Sequence, residues 1–152
     1  MLSAPKTSLL ILIIVLAQLL LAPQSQEQCA AGPSKNNIEK ILGKPVECPS
    51  RVLERLCFRS NETTLVTVQF NSSDRAKNIF VSDGCRGIHE LSKLTDELVP
   101  KSDRGKFLKQ PKFSGTGSCK REYQDEYECL SMEYWEDNCR GCVPASVNIL
   151  WK

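Results

Sequence analysis

The sequence predicts an α+β fold: a small disulfide-rich secreted domain with an antiparallel sheet and two or three short helices. An apolar N-terminal stretch has the pattern of a secretory signal peptide, and eight cysteines occur in 152 residues. Segments with the two-residue period of strands also alternate with segments of helical period. These three observations together favour an exported chain whose small core is reinforced by covalent bonds.

Residues 1–26 form the predicted signal peptide. Lys6 supplies the positive charge that precedes an apolar run over residues 9–22, and that run is shorter than the roughly 20 residues that a helix needs to cross a bilayer. We therefore expect cleavage before a single extracellular domain, residues 27–152, with no membrane span. That domain keeps 19 basic and 18 acidic side chains, a balance that argues against nucleic acid as a partner.

The cysteines and two glycosylation motifs fit an oxidising compartment. Eight cysteines in an exported chain indicate four disulfides, although the sequence does not choose among the possible pairings. Asn61 and Asn71 each begin an Asn-X-Ser/Thr motif and are predicted glycosylation sites. The cysteines are Cys29, Cys48, Cys57, Cys85, Cys119, Cys129, Cys139 and Cys142.

Three helices are predicted from apolar spacing. A short helix includes Ile38, Ile41 and Leu42 and ends at Gly43, and a second amphipathic piece covers residues 51–58. The longest covers residues 88–99, where apolar side chains recur at helical spacing before a proline.

Four strands are predicted to form the sheet. Residues 63–70 alternate between β-branched or apolar and polar side chains, and residues 79–81 return as the second strand of a hairpin. Residues 127–135 and 143–151 supply the other two. Between these pairs, residues 101–121 form a basic loop and residues 122–137 an acidic block.

The sequence indicates no catalytic site, cofactor or metal. Cys139 and Cys142 form a C-x-x-C pair that would suit a small secreted thiol-disulfide enzyme, but only ten residues follow it, so it lacks the elements that a thioredoxin-type site needs. Zinc binding by the clustered cysteines is disfavoured because an oxidising compartment favours disulfides over thiolates. We therefore predict that the protein is not an enzyme.

The predicted function is extracellular protein recognition, as a ligand, cytokine-like factor or regulator. Aromatic side chains beside carboxylates suit a binding surface for a basic extracellular or cell-surface protein, and the basic loop could bind a glycosaminoglycan. The alternatives are a protease inhibitor or host-directed effector that presents residues 101–112, and an arrangement in which the acidic block lies against the basic loop or the aromatics fill the core. The predicted binding residues are Tyr123, Tyr127, Tyr134, Trp135, Glu126 and Glu128.

Overall fold

A seven-stranded antiparallel sheet dominates the computed structural model, which describes residues 29, 32–49, 54–85, 87–109, 120–138, 143 and 145–152. Two α-helices and one short 3-10 helix accompany the sheet in these residues. The elements in chain order are α1 (Lys35–Leu42), β1 (Arg55–Arg59), β2 (Thr64–Phe70), β3 (Ala76–Asp83), α2 (Gly87–Leu98), the 3-10 helix (Lys101–Arg104), β4 (Phe107–Lys109), β5 (Lys120–Tyr127), β6 (Leu130–Asp137) and β7 (Ala145–Trp151).

The strands lie in the order β1-β2-β3-β7-β6-β5-β4. Strands β1 to β3 form one antiparallel meander and β4 to β7 form a second. Helix α2 connects the two meanders, and β7 then pairs with β3, so the last strand lies near the middle of the sheet. Contacts between residues far apart in sequence therefore hold the two halves together.

One face of the sheet carries the core. Val66 and Val68 of β2 alternate with half-buried side chains, and each valine is fully buried. Ile38 of α1 and Leu91 and Leu98 of α2 pack in the same cluster, so both helices cover this face. Burial of each such side chain stabilises the fold by about 1.5–3 kcal/mol, and this is the main source of noncovalent stability.

Both helices begin and end at residues that suit those positions. The Ser34 hydroxyl accepts a hydrogen bond from the Asn37 amide at 3.3 Å and caps α1, which ends at Gly43 with a φ of 82°. Helix α2 starts at Gly87, whose φ is 73° and whose amide donates to the Val143 carbonyl at 2.8 Å. This bond anchors the start of α2 to the residue two positions before β7.

Arg104 joins the end of α2 to the sheet. Its side chain is 3% exposed, and its guanidinium donates to the Val99 carbonyl at 2.8 and 3.0 Å and to the Asp96 carboxylate. The same group lies 5.7 Å from the centre of the Tyr127 ring. Burial lowers the pKa of Arg104, but hydrogen bonds and charge interactions with Asp96 and Tyr127 outweigh it, and the net shift is upward. Arg104 is therefore charged in its buried site.

The predicted α+β class is wrong, because the described chain is mostly an antiparallel sheet with only two α-helices. The error is clearest in the helix predicted over residues 51–58. Residues 55–59 form β1, in which Leu56 and Phe58 face the core while Arg55, Cys57 and Arg59 point the other way. Two apolar side chains in so short a segment fit either a strand or a helix, and pairing with β2 decides for the strand.

The predicted strand over residues 127–135 is also wrong in its limits. The acidic block folds as β5 and β6, joined by a turn at Glu128 and Cys129, so the sheet gains a strand. Part of the predicted basic loop is ordered too, as the 3-10 helix and β4. The helices predicted at residues 38–42 and 88–99 are present as α1 and α2, and the hairpin of residues 63–81 is present as β2 and β3.

The use of cysteines in disulfides is confirmed. Cys29 bonds to Cys129, Cys48 bonds to Cys57, and Cys85 is also disulfide-bonded. Cys119, Cys139 and Cys142 lie outside the described residues, as does the predicted signal peptide. In the part of the chain that the structure describes, neither helix is long and apolar enough to cross a membrane.

Candidate recognition surface

The second face of the sheet, opposite the helices, is the candidate site, and we call it the open face. Residues directly opposite one another in an antiparallel sheet point to the same side, so the strand registers define three rows across six strands. From β1 to β5, the rows are Arg55, Gln69, Asn78, Leu150, Ser131 and Glu126; Cys57, Thr67, Phe80, Asn148, Glu133 and Gln124; and Arg59, Leu65, Ser82, Ser146, Trp135 and Glu122. Only Cys57, which is bonded to Cys48, is buried among these side chains.

The open face is concave. A cleft of about 800 Å³ lies on it, and both Arg55 of β1 and Glu122 of β5 line this cleft. Four strands separate β1 from β5, so the sheet must curve towards the open face for both side chains to border one cavity. A cleft of this size falls within the range of protein binding sites.

Apolar side chains lie in the middle of the open face. Phe80 of β3 is 36% exposed and Leu150 of β7 is 37% exposed, and Trp135 of β6, which is half-buried, also lines the cleft. The solvent face of an antiparallel sheet normally carries polar residues at such positions. Exposed apolar groups that cluster in a cleft with a polar rim are typical of an interaction site.

Hydrogen bonds between side chains fix the polar groups on this face. The Asn78 amide donates to the Asn148 side-chain oxygen at 2.8 Å and to the Ile149 carbonyl at 3.1 Å. Asn148 in turn donates to Glu133 at 3.0 Å. These bonds link β3, β7 and β6, and they hold the Glu133 carboxylate in one orientation before any partner arrives.

Within the three rows, the charged side chains are separated by sign; outside the rows, Lys152 pairs with Glu126 at the acidic end, and Lys120 precedes Glu122 on the same face of β5. Arg55 and Arg59 lie on β1 and Lys77 on β3, where it also lines the cleft. Three carboxylates lie at the opposite side on β5 and β6, and β2 and β7 contribute no charged side chain to the rows between them. The carboxylates are Glu122, Glu126 and Glu133.

The structure divides the predicted binding residues between the two faces. The Tyr123 and Tyr134 rings stack with their centres 4.4 Å apart on the core face, and Tyr134 is only 8% exposed. Tyr127 packs beside them against the core and contacts the Phe107 ring edge-on at 5.4 Å. Trp135 is on the open face. The three tyrosines therefore contribute chiefly to packing.

Burial also changes the acidity of the stacked tyrosines. Burial is the largest cause that raises the pKa of Tyr134, and the nearby Asp125 carboxylate adds to it. The pKa of Tyr123 is raised first by burial and then by Asp125 and Glu136. Both hydroxyls therefore stay protonated through the physiological range, as expected of core side chains.

The two predicted acidic binding residues have partners within the chain. Glu126 lies on the open face but forms an ion pair with Lys152 at 3.0 Å and accepts a hydrogen bond from Gln124 at 2.6 Å. Glu128 lies in the β5–β6 turn, where its carboxylate accepts from the Lys106 amide at 3.0 Å. At this end of the cleft, Glu122 and Glu133 form no ion pair among the described residues, and Glu133 accepts the hydrogen bond from Asn148.

Residues from distant parts of the chain complete the cleft. Phe80, Leu150 and Arg55 were not predicted as binding residues, because only the strand register brings them together. For Phe80 and Leu150, the signal in the sequence is an apolar side chain at a strand position that should face solvent. Among the described residues, no cluster of three or more histidine, cysteine or acidic side chains could hold a metal ion.

Comparison of the chain with protein-family models, curated proteins and solved structures finds no match.

The two glycosylation motifs lie in turns at opposite ends of β2. The Asn61 side-chain oxygen accepts from the amides of Thr63 and Thr64 at 2.9 Å each, and that of Asn71 accepts from Ser73 at 2.9 Å. Both side chains therefore close turns through their oxygen atoms, while Asn71 is exposed and Asn61 half-buried. Neither residue belongs to the three rows, so neither asparagine is one of the side chains that define the open face.

Proposed function

We propose that the protein is exported and binds an extracellular or cell-surface protein through the open face of its sheet. One observation carries the proposal: helices bury one face of the sheet, while the other curves around Phe80, Leu150 and Trp135. Aromatic and aliphatic anchors with a polar rim are the usual composition of the energetic centre of a protein interface. The signal-peptide pattern and the oxidised cysteines support export.

Binding suits this face better than catalysis. The described side chains that line the cleft include no histidine and no cysteine, and the Glu133 carboxylate is held by a hydrogen bond from Asn148. A fixed carboxylate beside aromatic rings is well placed to orient a partner and to accelerate its association. We therefore propose a recognition protein without enzymatic activity.

The proposal is tested by binding to an arrayed panel of purified extracellular and cell-surface proteins. Leu150→Asp places a charge in the centre of the cleft, and Ile41→Asp is a matched control, because Ile41 is 40% exposed on α1. We expect at least one panel protein to bind the wild type and Ile41→Asp equally. Its affinity for Leu150→Asp should fall by at least about tenfold, which corresponds to about 1.4 kcal/mol of lost contact.

Two results would refute the proposal. One is equal binding of every captured protein to Leu150→Asp and to the wild type, because the partner would then use another surface. The other is the absence of any binding in a panel that represents the extracellular proteome. Circular dichroism of both variants shows whether the substitutions preserve the fold.

The β4–β5 edge is a second candidate surface, for a glycosaminoglycan. Lys106, Lys109, Lys120 and Arg121 have exposed side chains there. Sulfated polysaccharides bind such clusters by charge, so elution from heparin should shift to lower salt in Lys109→Glu and stay unchanged in Lys44→Glu, a substitution of an exposed lysine elsewhere. If the two variants eluted from heparin at the same salt concentration, this surface would be excluded as a glycosaminoglycan site.

A further inference from the structure

The open face carries opposite charges at its two ends. Arg55 begins the first row and Arg59 the third, whereas Glu122 ends the third row and Glu133 lies near the end of the second. Five strand spacings of about 4.8 Å separate β1 from β5, so these ends are about 24 Å apart along the sheet. This is a distance along the sheet, and the curvature brings the two ends closer through space, but among the described residues no ion pair joins them.

Neither end is neutralised within the described part of the molecule. The ion pairs there involve Glu90, Asp96 and Glu126 as the acids, and none includes Arg55, Lys77, Glu122 or Glu133. The cleft therefore presents Arg55 at one end, Lys77 on β3 nearer its middle, and two carboxylates at the other end. A partner gains the most favourable electrostatic binding energy if its complementary charges have the same spacing.

The floor of the cleft suits a peptide backbone. Gln69, Asn78, Asn148 and Gln124 lie on it. Bonds within the sheet already use the amide NH2 groups of Asn78, Asn148 and Gln124, but among the described residues the Gln69 amide and the side-chain oxygens of Asn78 and Gln124 make no hydrogen bond. Peptide groups offer the same mixture of donors and acceptors, whereas an acyl chain offers neither. Phe80 and Leu150 then provide a contact for one apolar side chain between the charged ends.

On the basis of the proposed function, we infer that the partner presents an extended polypeptide segment that crosses the strands of the open face. A lysine or arginine of that segment lies over Glu122 and Glu133, an apolar side chain contacts Phe80 and Leu150, and an aspartate or glutamate lies over Arg55. At about 3.3 Å per residue, about seven extended residues span the cleft. The recognised feature is thus an acid and a base that flank an apolar residue.

Selection from a phage-displayed library of random peptides long enough to cross the cleft tests this inference. The baits are the wild type, Arg55→Glu, Glu122→Lys, and two control variants with the same charge changes outside the open face. The controls are Lys44→Glu, after α1, and Glu97→Lys, on α2. All four substituted side chains are exposed or half-buried, and none of them forms an ion pair in the described structure.

We expect the wild type and both controls to enrich peptides with an acid and a base separated by about five residues and an apolar residue between them. Arg55→Glu should shift the enrichment to peptides that are basic at both ends, and Glu122→Lys to peptides that are acidic at both ends. Synthetic copies of the wild-type peptides should bind the matching variant at least about tenfold more weakly, and 1 M salt should remove most of this difference.

Three results would each overturn the inference. The wild type could enrich peptides without this charge pattern, or enrich none. Alternatively, Arg55→Glu and Glu122→Lys could enrich the same pattern as the wild type. Its failure can be told apart from failure of the proposed function. A panel protein that needs Leu150 but presents no acid–apolar–base segment overturns the inference alone. If every captured panel protein binds Leu150→Asp with full affinity, the proposed function is overturned as well.

Discussion

Removal of the Cys29–Cys129 disulfide should destabilise the protein more than removal of Cys48–Cys57. The first bond joins cysteines 100 residues apart and the second joins cysteines 9 residues apart. A crosslink restricts the unfolded chain more when it closes a longer loop. Chain entropy then predicts a cost of about 4.7 kcal/mol for the first bond and about 2.6 kcal/mol for the second. The difference of about 2 kcal/mol is large against a typical total stability of about 5–15 kcal/mol.

Packing losses should be similar in the two variants, which isolates the effect of loop length. Each bond has one cysteine that is only 2% exposed, Cys129 in the first and Cys57 in the second. The assay is equilibrium unfolding in guanidinium chloride, without reductant, of the Cys29→Ala/Cys129→Ala and Cys48→Ala/Cys57→Ala proteins. An equal loss in both, or a greater loss in the second, would refute the assignment of stability to loop closure.

The buried arginine, a core tyrosine and the two glycosylation motifs support further predictions. Arg104→Met should cost about 3 kcal/mol, because it removes charged hydrogen bonds from a buried site. Lys101→Met removes only an exposed ion pair and should cost less than about 0.5 kcal/mol when both variants are unfolded by urea titration; equal costs would contradict the role of burial. Because burial raises the pKa of Tyr134, stability should fall as pH rises above about 10, and Tyr134→Phe should reduce this slope by up to about 1.4 kcal/mol per pH unit. Unfolding curves measured from neutral to alkaline pH test this, and an unchanged slope would refute it. Asn61→Gln and Asn71→Gln should each lower the mass of the exported protein by one N-glycan on a denaturing gel, whereas unchanged mobility after enzymatic deglycosylation of the wild type would exclude both glycans.

Local patterns in the sequence predicted the elements whose signal is local. The alternation over residues 63–70 gave β2, and the helical spacing over residues 88–99 gave α2. The β5–β6 turn has no such signal, because Glu128 and Cys129 are not typical turn residues. Contacts from elsewhere in the chain hold it: the Glu128 amide donates to the Lys106 carbonyl at 2.9 Å, and Cys129 bonds to Cys29.

The candidate site was only partly predictable for a related reason. The sequence places Tyr134 and Trp135 side by side, but successive side chains of a strand point to opposite faces, so one enters the core and the other borders the cleft. The Asn78–Asn148 hydrogen bond joins residues 70 positions apart. Such a contact depends on the position of β7 beside β3, which no local pattern reveals.

The residues that stabilise the fold lie apart from the open face, and this separation supports the proposed binding role of that face. The inner face of the sheet, the two helices and the disulfides supply stability, so Phe80 and Leu150 are not needed to complete a core. A stability requirement alone would allow polar residues at both positions, which would make the surface more soluble. Their exposure between ends of opposite charge is instead what a partner of complementary pattern requires. Folding therefore does not require this composition of the open face, whereas the proposed recognition role would.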